Sequence, residues 1–171
     1  SIKDEESIEA FRESRNRIHS IALIHENLYR RDNLSLINIG DYVRHMSSAL
    51  AGLYSKKGRE VVIRQEISSG LMFRIDTAIP FGLLLNELLT NAMKYAMPEG
   101  NPEIKVSLAS DGDSVTLTVR DNGKGIPPEA DTTGGKSIGM NLISNLSRQL
   151  GGKPEFRNDG GAVFTLSFNI R

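Results

Sequence analysis

The 171-residue chain contains no cysteine, which excludes disulfides, thiol catalysis and cysteine-ligated zinc together. It has no surplus charge of either sign. Its 21 Lys and Arg balance 21 Asp and Glu, so nothing global draws it to nucleic acid or an anionic membrane surface. Its three histidines, His19, His25 and His45, are not three or four residues apart, as metal ligands sharing one helix face would be. No apolar run approaches the ~18 residues of a membrane span. The acidic start Lys3-Asp4-Glu5-Glu6 is unlike a secretory leader. What remains is 39% hydrophobic and 25% charged, in a length that suits one compact domain with a helical appendage. A cytoplasmic location without membrane contact is the expectation.

Residues 4–31 read as one long helix. Phe11, Ile18 and His25 recur every seven residues, as do Ser14, Ile21 and Leu28, with Ile24 widening the seam. Such a helix belongs in a coiled coil or bundle, and Asp32-Asn33 breaks it. A second helix is expected at about 39–56, with Ile39, Val43, Met46, Leu50 and Leu53 inward, ending at Lys57-Gly58. Val61–Ile67 and Met72–Ile75 alternate as two strands around Ser68-Ser69-Gly70. Ile104–Ala109 and Val115–Arg120 read as strands joined at Ser110-Asp111-Gly112-Asp113. A helix over Ser137–Leu150 is expected to turn Ile138, Leu142, Ile143 and Leu146 inward and to end at Gly151. Pro154–Arg157 and Ala162–Ile170 close as a hairpin. The order implies an α+β fold, a two-layer sandwich whose mixed, mostly antiparallel sheet is covered by helices on one face. No internal repeat is seen.

The most informative segment runs between Pro80 and Pro98, an apolar helix with Asp76 expected as its N-cap. Its narrow polar stripe is Glu87, Asn91, Lys94 and Tyr95, which share one face. Burying an acid and an amide costs several kcal/mol unless something pairs with them. Downstream, Asp121-Asn122-Gly123-Lys124-Gly125-Ile126 leads an acid into a glycine loop, and Pro127-Pro128 rather than a strand follows. An acid and amide able to hold a metal, a lysine and a separate Asp-Gly loop suggest a magnesium-nucleotide pocket. Taken alone, the stripe also fits a helix with a few satisfied polar residues, and Asp-Asn-Gly also fits a simple hairpin turn.

The chain resembles the ATP-binding domain shared by histidine kinases, gyrases, the ninety-kilodalton heat-shock chaperones and mismatch-repair ATPases. Three motifs carry the likeness, which covers nearly the whole chain. Asn86-Glu87-Leu88-Leu89-Thr90-Asn91-Ala92-Met93-Lys94-Tyr95 is similar to the family's asparagine box. The Asp121 loop is similar to its first glycine box, and Gly134-Gly135-Lys136-Ser137-Ile138-Gly139-Met140 to its second. The segment from Ser14 to Tyr29 resembles the second dimerisation helix of one sensor histidine kinase subfamily. The likeness divides the chain into a partial dimerisation and phosphotransfer helix at 1–33 and a catalytic ATP-binding domain at 34–171.

The resemblance implies a role for each residue. Asn91 would hold Mg²⁺ through its amide oxygen while the metal bridges triphosphate oxygens. Lys94 would counter phosphate charge and Tyr95 lie against ribose or adenine. Glu87 would be the catalytic group, activating water in related ATPases or orienting an imidazole in a kinase. Asp121 would accept from the adenine amine, with Gly123, Gly125 and Ile126 passing close to the base. Gly135, Lys136, Ser137, Gly139 and Met140 would present backbone N–H groups to phosphate at a helix start. Gly135-Lys136-Ser137 also imitates the end of a P-loop, but that pattern needs a glycine where Ala130 stands and a strand directly before it. Two departures appear. Ser137 stands where many relatives have glycine, and Ala162 where a threonine usually assists the adenine-binding acid. Thr165 on that last strand is kept among the ATP-binding candidates, but it lies three residues further along and is a poor substitute for the missing threonine.

The family's acceptor histidine lies on a first dimerisation helix. His25 falls on the apolar seam, and His19 is followed by Ser20-Ile21 rather than an acid. The acceptor is therefore expected to be missing from this segment. The implied reaction passes the γ-phosphoryl of Mg·ATP to a histidine, then to the receiver domain of a response regulator. A homodimer through the N-terminal helix is implied too, and the whole could be the cytoplasmic part of a membrane-bound sensor. An ATP-hydrolysing relative and a non-catalytic nucleotide-binding partner remain as rivals.

Overall fold

In the computed structural model the described residues are 36–55, 60–95, 101–127 and 138–170, with scattered positions between Asp4 and Glu26. Those scattered positions are helical, and Ile8, Phe11 and Ile18 among them are exposed. The expected breaks at Asp32-Asn33 and Lys57-Gly58, the Pro98 boundary and the loop 128–137 lie outside the described residues.

The elements run β1 (Leu36–Asn38), α1 (Ile39–Tyr54), β2 (Val62–Ile67), β3 (Met72–Arg74), α2 (Ile75–Tyr95), β4 (Glu103–Asp111), β5 (Ser114–Asp121), α3 (Ile138–Gln149), β6 (Glu155–Asn158) and β7 (Ala162–Asn169). Five strands form one sheet in the order β2-β4-β5-β7-β6; β1 and β3 form a separate antiparallel pair. The β2-β4 pair is parallel and the other neighbours are antiparallel, so the sheet is mixed as expected.

Register sets which side chains meet the helices. Ile104, Val106 and Leu108 of β4, Val115, Leu117 and Val119 of β5, and Phe164, Leu166 and Phe168 of β7 are all buried on one face. The alternate residues Thr116, Thr118, Thr165 and Ser167 occupy the other. On the inner side the rings of Phe73, Phe81 and Phe168 meet at centroid distances of 5.2, 5.8 and 6.4 Å, tying β3, α2 and β7 together.

Three expectations are corrected. The strands flanking Ser68-Ser69-Gly70 are not partners. The Ser68 N–H continues the β4 ladder to the Leu108 carbonyl, while the Leu71 carbonyl accepts from the Ile39 N–H. The chain is thus handed from one sheet to the other within four residues, and β3 pairs with β1, a three-residue strand too short to show a pattern. In α1, Leu53 is exposed; Tyr54, one turn on from Leu50, takes the core contact instead. In α2, the helix begins at Ile75, so Asp76 lies in the first turn rather than at the cap, and Pro80 is inside the helix. A proline there removes one N–H, and the acid still favours the positive helix end. Asn38 does cap α1, its Oδ1 accepting from the Asp41 N–H at 3.0 Å.

Candidate nucleotide site

The site is built at one end of the sheet. β4 begins at Glu103, and its next residue, Ile104, stands opposite Asp121, the last residue of β5, so Asp121 projects toward the helix-covered face. Only residues 96–102 join the end of α2 to β4, which brings the polar half of α2 to the same end.

Asp121 is fixed by backbone. Its Oδ1 accepts from the Gly123 N–H at 2.9 Å and from the Ala162 N–H at 3.1 Å. Among the described residues no hydrogen bond falls on its Oδ2. The close approach of β7 depends on Gly161, which has φ +143° and no Cβ; a Cβ there would lie 2.0 Å from the Asp121 carbonyl oxygen.

The glycine loop is held from two sides. Asn122 Oδ1 accepts from the Glu103 N–H at 2.9 Å. From the end of β6, Asn158 Oδ1 accepts from the Ile126 N–H at 2.7 Å, and its Nδ2 donates to the Ile126 carbonyl at 3.0 Å. Gly125, at φ +79°, makes room for this amide, since a Cβ would lie 2.7 Å from Asn158 Oδ1. Arg120 and Arg157 both donate to Asp159 Oδ2 at 3.2 Å, and Arg120 also reaches the Asp159 carbonyl. Sequence spacing does not single out Asn158. Its role is tertiary and leaves no local spacing signal.

On α2, Glu87 is only 5% exposed and Asn91 half-buried. α3 starts against them: the Cβ position of Gly139 lies 3.6 Å from Glu87 Oε2 and 3.8 Å from both Asn91 amide atoms. Glu87, Asn91 and the N-terminal turn of α3 are therefore one cluster. Lys94 is half-buried on the next turn, Tyr95 is 74% exposed at the helix end, and Met140 packs partly against the core. Gly123, Gly125 and Ile126 lie beside Asp121 and Asn158. Thr165 is not brought to Asp121. It pairs with Thr118 on the far face of the sheet, because a position three along a strand from Ala162 has the opposite parity. Gly135, Lys136 and Ser137 lie outside the described residues.

The donor set suits a hard cation only when a ligand shares it. Among the described residues no three His, Cys, Asp or Glu side chains cluster as a metal cage. An amide oxygen beside phosphate oxygens is the arrangement in which magnesium needs no such cage. A groove of about 430 Å³ at the other end of the sheet holds none of these residues.

Residues 76–171, more than half the chain, match the family described as histidine kinase-, DNA gyrase B- and HSP90-like ATPase. The chain belongs to that family. Residues 1–54 match a second family described as histidine kinase, which makes the ATP-binding domain that of a sensor histidine kinase. Among curated proteins, the chain is 25% identical over 139 residues to blue-light-activated histidine kinase 2 of Erythrobacter litoralis, covering 79% of this chain and 39% of that protein. It is 36% identical over 98 residues to the C4-dicarboxylate transport sensor protein DctB of Pseudomonas aeruginosa, covering 48% and 16%. The chain thus spans about two fifths or less of these relatives. The solved histidine kinase domain of an Erythrobacter litoralis blue-light-activated kinase superposes with a TM-score of 0.81 at 19% identity, over 92% of this chain and 75% of that one. This likeness carries the fold. No helix among the described residues is long and apolar enough to cross a membrane.

Proposed function

We propose that this ATP-binding domain positions Mg·ATP for transfer of its γ-phosphoryl to a histidine imidazole, for onward transfer to a response-regulator receiver domain. The observation that carries the reading is the joining of Glu87, Asn91 and the α3 N-terminus, at the sheet end where Asp121 is locked by Gly123 and Ala162. Asp121 presents a carboxylate oxygen to the adenine amine, a donor that guanine lacks at that position. Asn91 would supply an amide oxygen to magnesium, which when bound neutralises triphosphate charge. The first N–H groups of α3 face the phosphates with the positive end of the helix dipole. Lys94 and Lys136 add charge, and Tyr95 has its exposed ring open to ribose or base.

Glu87 is buried beside the place where phosphate would enter. A carboxylate there can accept a proton from, or orient, the attacking imidazole. The acceptor in this reading is a histidine other than His19 and His25, carried on a dimerisation helix that packs on the N-terminal seam. The exposed Phe11 and Ile18 support that packing and a homodimer through it.

The test supplies a histidine-bearing dimerisation helix in trans with γ-labelled ATP. Acid-labile, base-stable label should appear on that helix, and Glu87→Gln should slow labelling while leaving ATP affinity nearly unchanged. Turnover of ATP with no label on any histidine would overturn the proposal, as would label lost on His19→Ala or His25→Ala.

A further inference from the structure

Among the described residues β2 ends the five-stranded sheet, with β4 as its one neighbour. In this parallel ladder the Val62 N–H donates to the Pro102 carbonyl and the Ser68 N–H to the Leu108 carbonyl. The register between them places the N–H and C=O groups of Val62, Arg64 and Glu66 toward β4. Those of Ile63, Gln65 and Ile67 point away from the sheet, and no partner for them occurs among the described residues. An edge of this kind is a template for another strand.

Side chains select the strand that fits. On the outer face β2 carries Arg64 and Glu66, both exposed. Pair β2 antiparallel with a second β2, centred on Gln65. Gln65 then exchanges both backbone bonds with its own copy, and Ile63 does the same with Ile67 of the second copy. Each outward-pointing group finds a partner. In that register Arg64 falls opposite Glu66 of the second copy, and Glu66 opposite its Arg64. Moving one step either way, while keeping outward groups paired, puts Arg64 on Arg64 or Glu66 on Glu66. Like charges directly opposite are unfavourable. The edge is therefore self-complementary in one register alone. On the inner side, the second copy's Ile63 stands opposite Ile67, which lines the 430 Å³ groove together with Gln65, Gly40 and Arg44.

We propose that the free edge of β2 is a docking surface for a second copy of this chain, making one continuous sheet across a two-fold axis at Gln65. This contact is separate from the N-terminal seam and independent of nucleotide. Arg64 already reaches Glu103 and Lys105 reaches Glu66, at 2.7 Å for the latter, within each copy. The cross-copy charges extend these pairs into a network.

The absence of cysteine makes disulfide trapping clean. Two residues facing one another across an antiparallel pair have Cα atoms ~5.5 Å apart, within disulfide reach. Under mild oxidation Gln65→Cys should form covalent dimers at least about tenfold faster than Asp113→Cys, on the exposed β4-β5 turn. Adding Arg64→Glu or Glu66→Arg to Gln65→Cys should suppress the cross-link. Mixing those two doubly substituted proteins should restore it, because an all-acidic edge then meets an all-basic one. Both substitutions are at exposed positions whose ion pairs contribute little to folding. Ile63→Cys mixed with Ile67→Cys, which this register sets opposite one another, should cross-link; adding Gln65→Pro to both removes an N–H that the β4 ladder does not use, so it should abolish that trapping without lowering Tm. Equal cross-linking of Gln65→Cys and Asp113→Cys, or no recovery on mixing, would overturn the proposal. So would recovery with a foreign extended peptide but not with the second copy.

Discussion

Asp121 is rigid because one of its oxygens is already occupied by two backbone N–H groups, from Gly123 and Ala162. The other accepts no hydrogen bond among the described residues, which suits the proposed contact with the adenine amine. Losing a hydrogen bond to a charged group costs about 1.5–3 kcal/mol. Asp121→Ala should therefore weaken ATP binding roughly ten- to a hundredfold and reduce the preference for ATP over GTP, both readable by calorimetry. Equal affinity of the unaltered protein for the two nucleotides would remove the base-reading role. Tyr42 offers a prediction about stability. Its hydroxyl is buried on α1 with no hydrogen-bond partner among the described residues, and burial pushes the phenol up. A raised folded-state value means the fold prefers the protonated form. That stability is fully present below the unfolded value of about 10 and is lost as pH rises above it. Tyr42→Phe should leave Tm at pH 7 unchanged or higher and flatten its fall in alkali; a lower Tm at neutral pH would show that the hydroxyl has a partner.

At the scale of elements, the helix that matters most was also the most legible. α2 is apolar nearly all round, so its few polar residues stand out at helical spacing, and the structure buries Glu87 and half-buries Asn91 where the stripe put them. α3 was legible from its periodic apolar face and from Gly151, whose N–H bonds to the Arg148 carbonyl at the helix end. What could not be read were long-range pairings. Alternation in Val61–Ile67 announces a strand but not its partner, so the parallel pairing with β4 was invisible, as was β1. Thr165 was placed by proximity in sequence, and strand parity sends it to the other face. Asn158 was missed because its two bonds to Ile126 cross 32 positions of chain. The β6-β7 hairpin thus acts as a clamp on the glycine loop. Asn158→Ala should speed hydrogen exchange at the Ile126 amide and weaken adenosine and ATP by a similar factor, about tenfold. An unchanged Ile126 exchange rate would mean the clamp does not hold the loop.

At the scale of the molecule, a helix-covered sheet uses one end to gather three separate segments. The polar half of α2, the loop after β5 and the start of α3 meet there, while the opposite sheet edge and the N-terminal seam face outward. The proposed assignment gives the two ends of the nucleotide to different elements. It is tested most directly by calorimetric titration of Asn91→Ala with ATP and with adenosine, each with and without magnesium. The unaltered protein should bind ATP more tightly with magnesium present. The variant should lose that dependence and keep its adenosine affinity, since adenosine carries no triphosphate for a metal to bridge. A variant that retains the full magnesium dependence, or an unaltered protein that binds ATP equally with and without the ion, would contradict the account.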